Sequence, residues 1–144
     1  MGALAPFSSR WVPLPEHCRL LEDVDVLPGG FRAAGVAAGI KPSGGTDVGL
    51  LLCDTPDATS AARFTRSGTA AAPVLLTRER CRLDAIRAIA VNSGNANAAT
   101  GSMGLQDAAK MQGAGAMAAG VGEDQGAVCS TGVIGVPLDA RAVV

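Results

Sequence analysis

Residues 86–101 read IRAIAVNSGNANAATG. Ile86 to Asn92 is a short apolar run closed by turn-forming residues, the signature of a buried strand. Asn92 to Gly101 is the reverse: small, polar and glycine-bearing. Three asparagines fall within six residues there, offering amide donors and acceptors in a residue type that tolerates left-handed backbone. A second junction of the same kind lies downstream. Ala127 to Ser130 reads as a short strand running into a Thr131-Gly132 turn, inside the run Cys129 to Gly135 (CSTGVIG). Between the two junctions, Leu105, Ala108, Ala109, Ala116 and Ala119 are spaced for a helix over Gly104 to Gly120. Gly113 and Gly115 weaken that helix by about 1 kcal/mol each relative to Ala.

Working outward, Gly30 to Gly44 reads as a strand and loop. VGLLLC within Asp47 to Cys53 is a buried strand candidate, and Ala61 to Thr65 another. Pro73 to Thr77 (PVLLT) also reads as a strand. Pro137 to Val144 opens like a helix, with proline in its first turn. Residues 1–28 carry four prolines, the only Trp (Trp11) and the only His (His17), and are read as an extension. The main domain is placed at 29–144. Several strands, one clear helix, then a strand and a helix start favour an α+β arrangement over a regular βαβ array. The sequence ends at Val143-Val144 in mid-pattern. We therefore read it as incomplete, or as one chain of a processed protein.

Composition narrows the function classes. A chain of 144 residues fits one domain or part of a larger one. It is 48% hydrophobic but only 3% aromatic, with no Tyr, so its core must come from Ala, Val, Leu and Ile. A net charge of -1, with no basic cluster, argues against nucleic acid as a partner. Cys18, Cys53, Cys81 and Cys129 form no C-x-x-C pair, so no metal site is expected, and buried or half-buried thiols are. No apolar run nears the ~18 residues of a membrane span, and no signal peptide is recognisable. The expectation is a soluble, cytoplasmic protein.

Chemistry concentrates at the two junctions. A Thr hydroxyl followed by a Gly amide, straight after a strand, can present two donors to one point. That is the requirement of an oxyanion hole, with donors ~2.7–3.1 Å from the developing charge. The bland alternative for Thr131-Gly132 is a plain strand-to-loop turn. Asn92 to Gly101 can line a site, or can be a loop whose side chains satisfy their own backbone. Gly113-Ala114-Gly115-Ala116-Met117-Ala118 has the letters G-x-G-x-x-A but falls inside the helix, so close packing is preferred to a dinucleotide role. His17 has no partners that would make a triad, and is read as a surface residue. Lys41 could hold a carboxylate or simply be solvated. Cys129 and Ser130 have no general base nearby in sequence.

These residues carry a family resemblance. In order they are Gly30 to Lys41 (GFRAAGVAAGIK), Phe64-Thr65-Arg66, Ala71-Ala72-Pro73-Val74, Asn92 to Gly101 and Ser130 to Gly135 (STGVIG). The chain resembles the N-terminal (alpha) part of the ornithine acetyltransferases, the bifunctional glutamate N-acetyltransferases of arginine biosynthesis (ArgJ family). The resemblance covers about Gly29 to Leu138. It implies an α/β (α+β) fold with a layered αββα sandwich. It also implies a precursor that cleaves itself into alpha and beta chains, assembling as α2β2. The nucleophile implied is the N-terminal Thr of the beta chain, beyond Val144. It takes the acetyl group from N2-acetylornithine as an ester and passes it to glutamate. No cofactor is implied, and acetyl-CoA stands open as a further acetyl donor. Thr131 and Gly132 match the family's oxyanion-hole pair, and Asn95 and Asn97 become candidate substrate-wall residues. The alternative held beside it is a non-catalytic module of the same fold that binds small amino acids.

Overall fold

The computed structural model describes residues 16–17 and 27–144. The rest of the extension, Trp11 and Cys18 included, lies outside the described residues. Six main elements follow in order: β1 (Phe31–Val36), β2 (Val48–Cys53), α1 (Ala72–Arg80), β3 (Ala88–Asn95), α2 (Gly101–Ala119) and β4 (Gly126–Val133). Single 3₁₀ turns stand at Glu123–Gln125 and Ala140–Ala142.

The strands form one sheet in the order β1-β2-β3-β4. β1 pairs β2 and β2 pairs β3 antiparallel. β3 and β4 run parallel, with Ala90 opposite Val128 and Asn92 opposite Ser130. A parallel pair needs a crossover, and α2 is it. One βαβ unit is thus joined to an antiparallel meander, which is an α+β arrangement.

Both helices belong to one side of the sheet. Ala90 and Val128 point there and meet Ala72 and Leu76 of α1, Ala108 and Met111 of α2, and Leu138. Small side chains let the layers approach closely. A Cβ added at Gly115 would stand 2.7 Å from the Ala90 Cβ. The sequence reading assigned the core to Ala, Val, Leu and Ile. The largest fully buried apolar side chain is instead Met111, and Ile40 only packs against the cluster's rim. Two side chains fix the start of β4 against the helices. Gln112, buried, donates from Nε2 to the Glu123 and Gly126 carbonyls at 2.9 and 3.0 Å. Thr77 Oγ1 accepts from Val128 N at 3.2 Å and donates to Val128 O at 3.4 Å, on the edge of β4 away from β3.

Four local expectations are corrected. PVLLT is part of helix α1, because Pro73 sits in the first turn, where its fixed φ is favourable, and Arg78 and Arg80 close the last turn. Ala61 to Thr65 forms no strand; it is irregular chain, and Ala61 to Phe64 border the same cleft as Leu51 and Ile89. Thr131 and Gly132 lie within β4 rather than in a turn after it. Pro137 to Val144 reaches only the 3₁₀ turn at Ala140–Ala142. The described residues form one sheet layer and one helix layer. The four-layer αββα sandwich that the resemblance implied is not present within them.

Candidate active site

β4 is an edge strand, and its C-terminal end is open. Side chains alternate along it: Val128 is buried against the helices, Cys129 is exposed, Ser130 is half-buried and Thr131 is exposed. The Thr131 hydroxyl therefore stands on the open face of the sheet. Backbone groups alternate too. Val128 turns its N–H and C=O outward, to Thr77, and four residues on Gly132 is exposed beside the register shift of the β3–β4 ladder. Thr131 and Gly132 are thus both exposed at one corner of the sheet.

Glycine is required at 132. Its φ is 136°, a region closed to L side chains. A Cβ there would lie 2.2 Å from Gly94 C and 2.4 Å from Asn95 N. The backbones of β3 and β4 touch at this point, where the ladder register shifts around Asn95. Gly94 makes the reciprocal accommodation. Its φ is 100°, and a Cβ would meet Ile40 and Lys41 at 3.1 Å.

The loop that carries Ile40 and Lys41 is held from below by Asp47. Its buried carboxylate accepts from Ala38 N at 2.6 Å and Lys41 N at 2.8 Å. Those two N–H groups, Ala38 first, hold the Asp47 carboxyl below the usual carboxylate range. Asp47 O also receives the N–H of Ser93 at 2.8 Å, which ties the loop to β3. Lys41 Nζ donates to Thr46 O at 2.8 Å, so this lysine is spent on its own loop.

The asparagines lie deeper. Asn92 and Asn97 are fully buried and Asn95 nearly so. Asn92 Nδ2 donates to Asn95 O at 2.8 Å. Asn95 Nδ2 donates to Val136 O at 3.0 Å and Pro137 O at 3.1 Å, and its Oδ1 accepts from Asn97 N at 2.7 Å. Asn97 Nδ2 donates to Gly104 O at 2.8 Å, and its Oδ1 accepts from Thr100 Oγ1 at 2.8 Å. Both carboxamides face groups of this chain, not open space. Any part they take in the site runs through the backbone they hold. Asn92 Oδ1 and Ser130 Oγ, neighbours across the ladder, are shut from solvent without a hydrogen-bond partner.

The other candidates separate from this corner. His17 is exposed in a turn. G-x-G-x-x-A lies mid-helix in α2, not at the strand-to-helix turn that a dinucleotide fingerprint needs. Cys129 is exposed but lines the cleft on the sheet's open side, and the partial desolvation there pushes its thiol up, the wrong direction for a nucleophile. Among the described residues no group of three His, Cys, Asp or Glu could hold a metal. Sequence reasoning missed Asp47 and Thr77. The only signal for either was its place beside a strand or proline start.

Residues 32–144 match the ArgJ family.

The chain belongs to the ArgJ family.

It is 50% identical over 125 residues to an arginine biosynthesis bifunctional protein ArgJ of Bacillus cereus, covering 85% of this chain and 30% of that relative. The ArgJ of Mycolicibacterium paratuberculosis is 46% identical over 129 residues, covering 84% of this chain and 32% of the relative. The chain thus spans about a third of these ArgJ proteins. Among solved structures, ornithine acetyltransferase of Mycobacterium tuberculosis, complexed with ornithine, superposes with a TM-score of 0.76 at 45% identity. That match covers 81% of this chain and 63% of the other. The ArgJ of Bacillus halodurans gives 0.72 at 40% identity, covering 80% and 60%. The fold described above is therefore that of the ArgJ family's acetyltransferase structures.

Proposed function

We propose that this chain supplies the oxyanion hole of an acetyltransferase that moves an acetyl group from N2-acetylornithine to glutamate. The observation that carries the reading is the exposed Thr131-Gly132 pair at the open end of β4, built on a glycine that nothing else can replace. The nucleophile in this proposal is a Thr at the N-terminus of a beta chain, released when the precursor cuts itself. Its hydroxyl oxygen adds to the acetyl carbonyl, with the free α-amine taking the proton. The carbonyl oxygen becomes an oxyanion, which the Thr131 O–H and the Gly132 N–H receive. Collapse breaks the amide C–N bond, the proton returns to the departing amine of ornithine, and an acetyl-threonine ester remains. The amine of glutamate then repeats the sequence in reverse. Two fixed donors cost no reorganisation as charge develops, which is why such pairs accelerate acyl transfer.

Membership of the ArgJ family and the likeness to an ornithine-bound acetyltransferase support this substrate choice. A beta-chain partner, an α2β2 assembly and a cytoplasmic location belong to the same proposal. Among the described residues no helix is long and apolar enough to cross a membrane. Acetyl-CoA enters as a second donor; acetylation of glutamate by the full-length protein with acetyl-CoA alone tests that part.

The direct test is Thr131→Ala in the full-length protein, assayed with N2-acetylornithine and glutamate. kcat is expected to fall ~10²–10³-fold with KM little changed, the loss seen on removing one oxyanion donor. A folded variant with wild-type kcat would take Thr131 out of the reaction. If the full-length protein binds both amino acids but transfers nothing, the binding-module reading is favoured instead.

A further inference from the structure

The last turn of β4 is held from one side only. Gly132 is pressed against Gly94 and Asn95. Immediately after it, Val133 O accepts from Ala96 N and Gly135 N donates to Ala98 O, each at 2.9 Å. Next come the two carbonyls gripped by Asn95, those of Val136 and Pro137. Leu138 then enters the core. The side chains between, Val133, Ile134 and Val136, are exposed and contribute little hold. The only side-chain amide that fixes the path of residues 133–137 is thus that of Asn95, among the described residues. Its two N–H donors go to two successive carbonyls and its oxygen to Asn97 N, so its orientation is fully determined. Asn92 holds Asn95's own carbonyl from behind.

We propose that Asn95 is a positioning residue for the oxyanion pair, aiming the Gly132 N–H by fixing the chain that leaves it. This rests on the oxyanion reading of Thr131 and Gly132. The physical reason is that a catalytic donor must be held to a fraction of an ångström, and a misplacement of about 1 Å can cost ~10²-fold in rate. A glycine at φ 136° has no side chain to hold its own dihedral, so the hold must come from its flanks.

The test uses the full-length protein. Asn95→Asp is isosteric and keeps the acceptor for Asn97 N, but turns an acceptor toward two carbonyls. It is expected to lower kcat ~10–100-fold while KM for N2-acetylornithine stays within about threefold. In a Thr131→Ala background the Gly132 N–H is the oxyanion donor that remains, so the same change should again lower kcat by about tenfold or more. Gln112→Glu, which turns an acceptor toward the Glu123 and Gly126 carbonyls at the start of β4 but leaves 136–137 untouched, should lower thermal stability and keep kcat within about threefold. A folded Asn95→Asp protein with wild-type kcat would overturn the proposal. So would a further loss of less than about threefold in the Thr131→Ala background, or an equal kcat loss in Gln112→Glu. If Asn95→Asp does not fold, Asn95→Ser is read in the same way; if neither folds, Asn95 is a folding residue and the proposal falls. A Thr131→Ala protein with full kcat defeats the oxyanion reading itself, a different outcome from any of these.

Discussion

At the scale of single residues, the site depends on groups that never face it. Asp47 is one. Its carboxylate organises Ala38 and Lys41, whose loop packs on Gly94, which in turn abuts Gly132. Because these bonds lower the folded-state pKa, Asp47 stabilises the fold above its unfolded value of about 4, and that contribution fades as pH falls through the folded pKa. Asp47→Asn should therefore flatten the acid arm of the stability curve. Urea midpoints of the two proteins should converge as pH drops from about 5 toward 2, the window set by a depressed carboxyl. Parallel curves would show that Asp47 is not anchored as described. The asparagine run shows where reading residues by type reaches its limit. Its richness in Asn marked Asn92 to Gly101 as special, but a wall residue and a backbone clamp share one composition. Only the paths of residues 136–137 and 104, distant in sequence, separate the two.

At the scale of elements, β2, β3 and α2 were legible because their apolar periods are unambiguous over six residues or more. α1 was not. Val74-Leu75-Leu76 is too short to distinguish a strand from a helix by period, and the deciding feature was Pro73 at the first turn. The helix is then fastened where no periodicity reports it, by one hydroxyl against the edge of β4. Thr77→Val keeps shape and branching but leaves Val128 N–H and C=O unpaired in a buried place. The expected loss is about 1–3 kcal/mol, read as a lower urea midpoint at unchanged slope. A midpoint equal to wild type would mean the α1–β4 contact is held by packing alone. The Thr131-Gly132 misreading as a turn has its own cause. Glycine usually ends a strand, whereas here it lets β4 continue past a register shift against β3.

At the scale of the whole molecule, the sheet is covered on one side and open on the other. The open side carries a cleft of about 460 Å³, bordered by Leu51, Ile89, Ala127 and Cys129. Val133, Ile134 and Val136 extend the exposed apolar surface past the site. Surface of this kind marks an interaction face. The 144-residue chain produced by itself is expected to bind a dye such as ANS and to elute larger than a monomer. A clean, dye-free monomer would contradict the idea that this face is made to be covered. The family resemblance was legible because five blocks recur in order. The two-layer content of the described residues was not, since the resemblance implied four layers and no residue pattern says how many of them this stretch holds. The proposed chemistry has the same divided character, with the oxyanion donors here and the nucleophile on a beta chain. The most direct test is the single-turnover rate at which the full-length protein takes acetyl from N2-acetylornithine, compared for Thr131→Val and Thr131→Ser. The account predicts that Thr131→Val, which keeps shape but lacks the hydroxyl, loads ~10²–10³-fold more slowly while Thr131→Ser stays within about tenfold of wild type. Loading of folded Thr131→Val at the wild-type rate would contradict it.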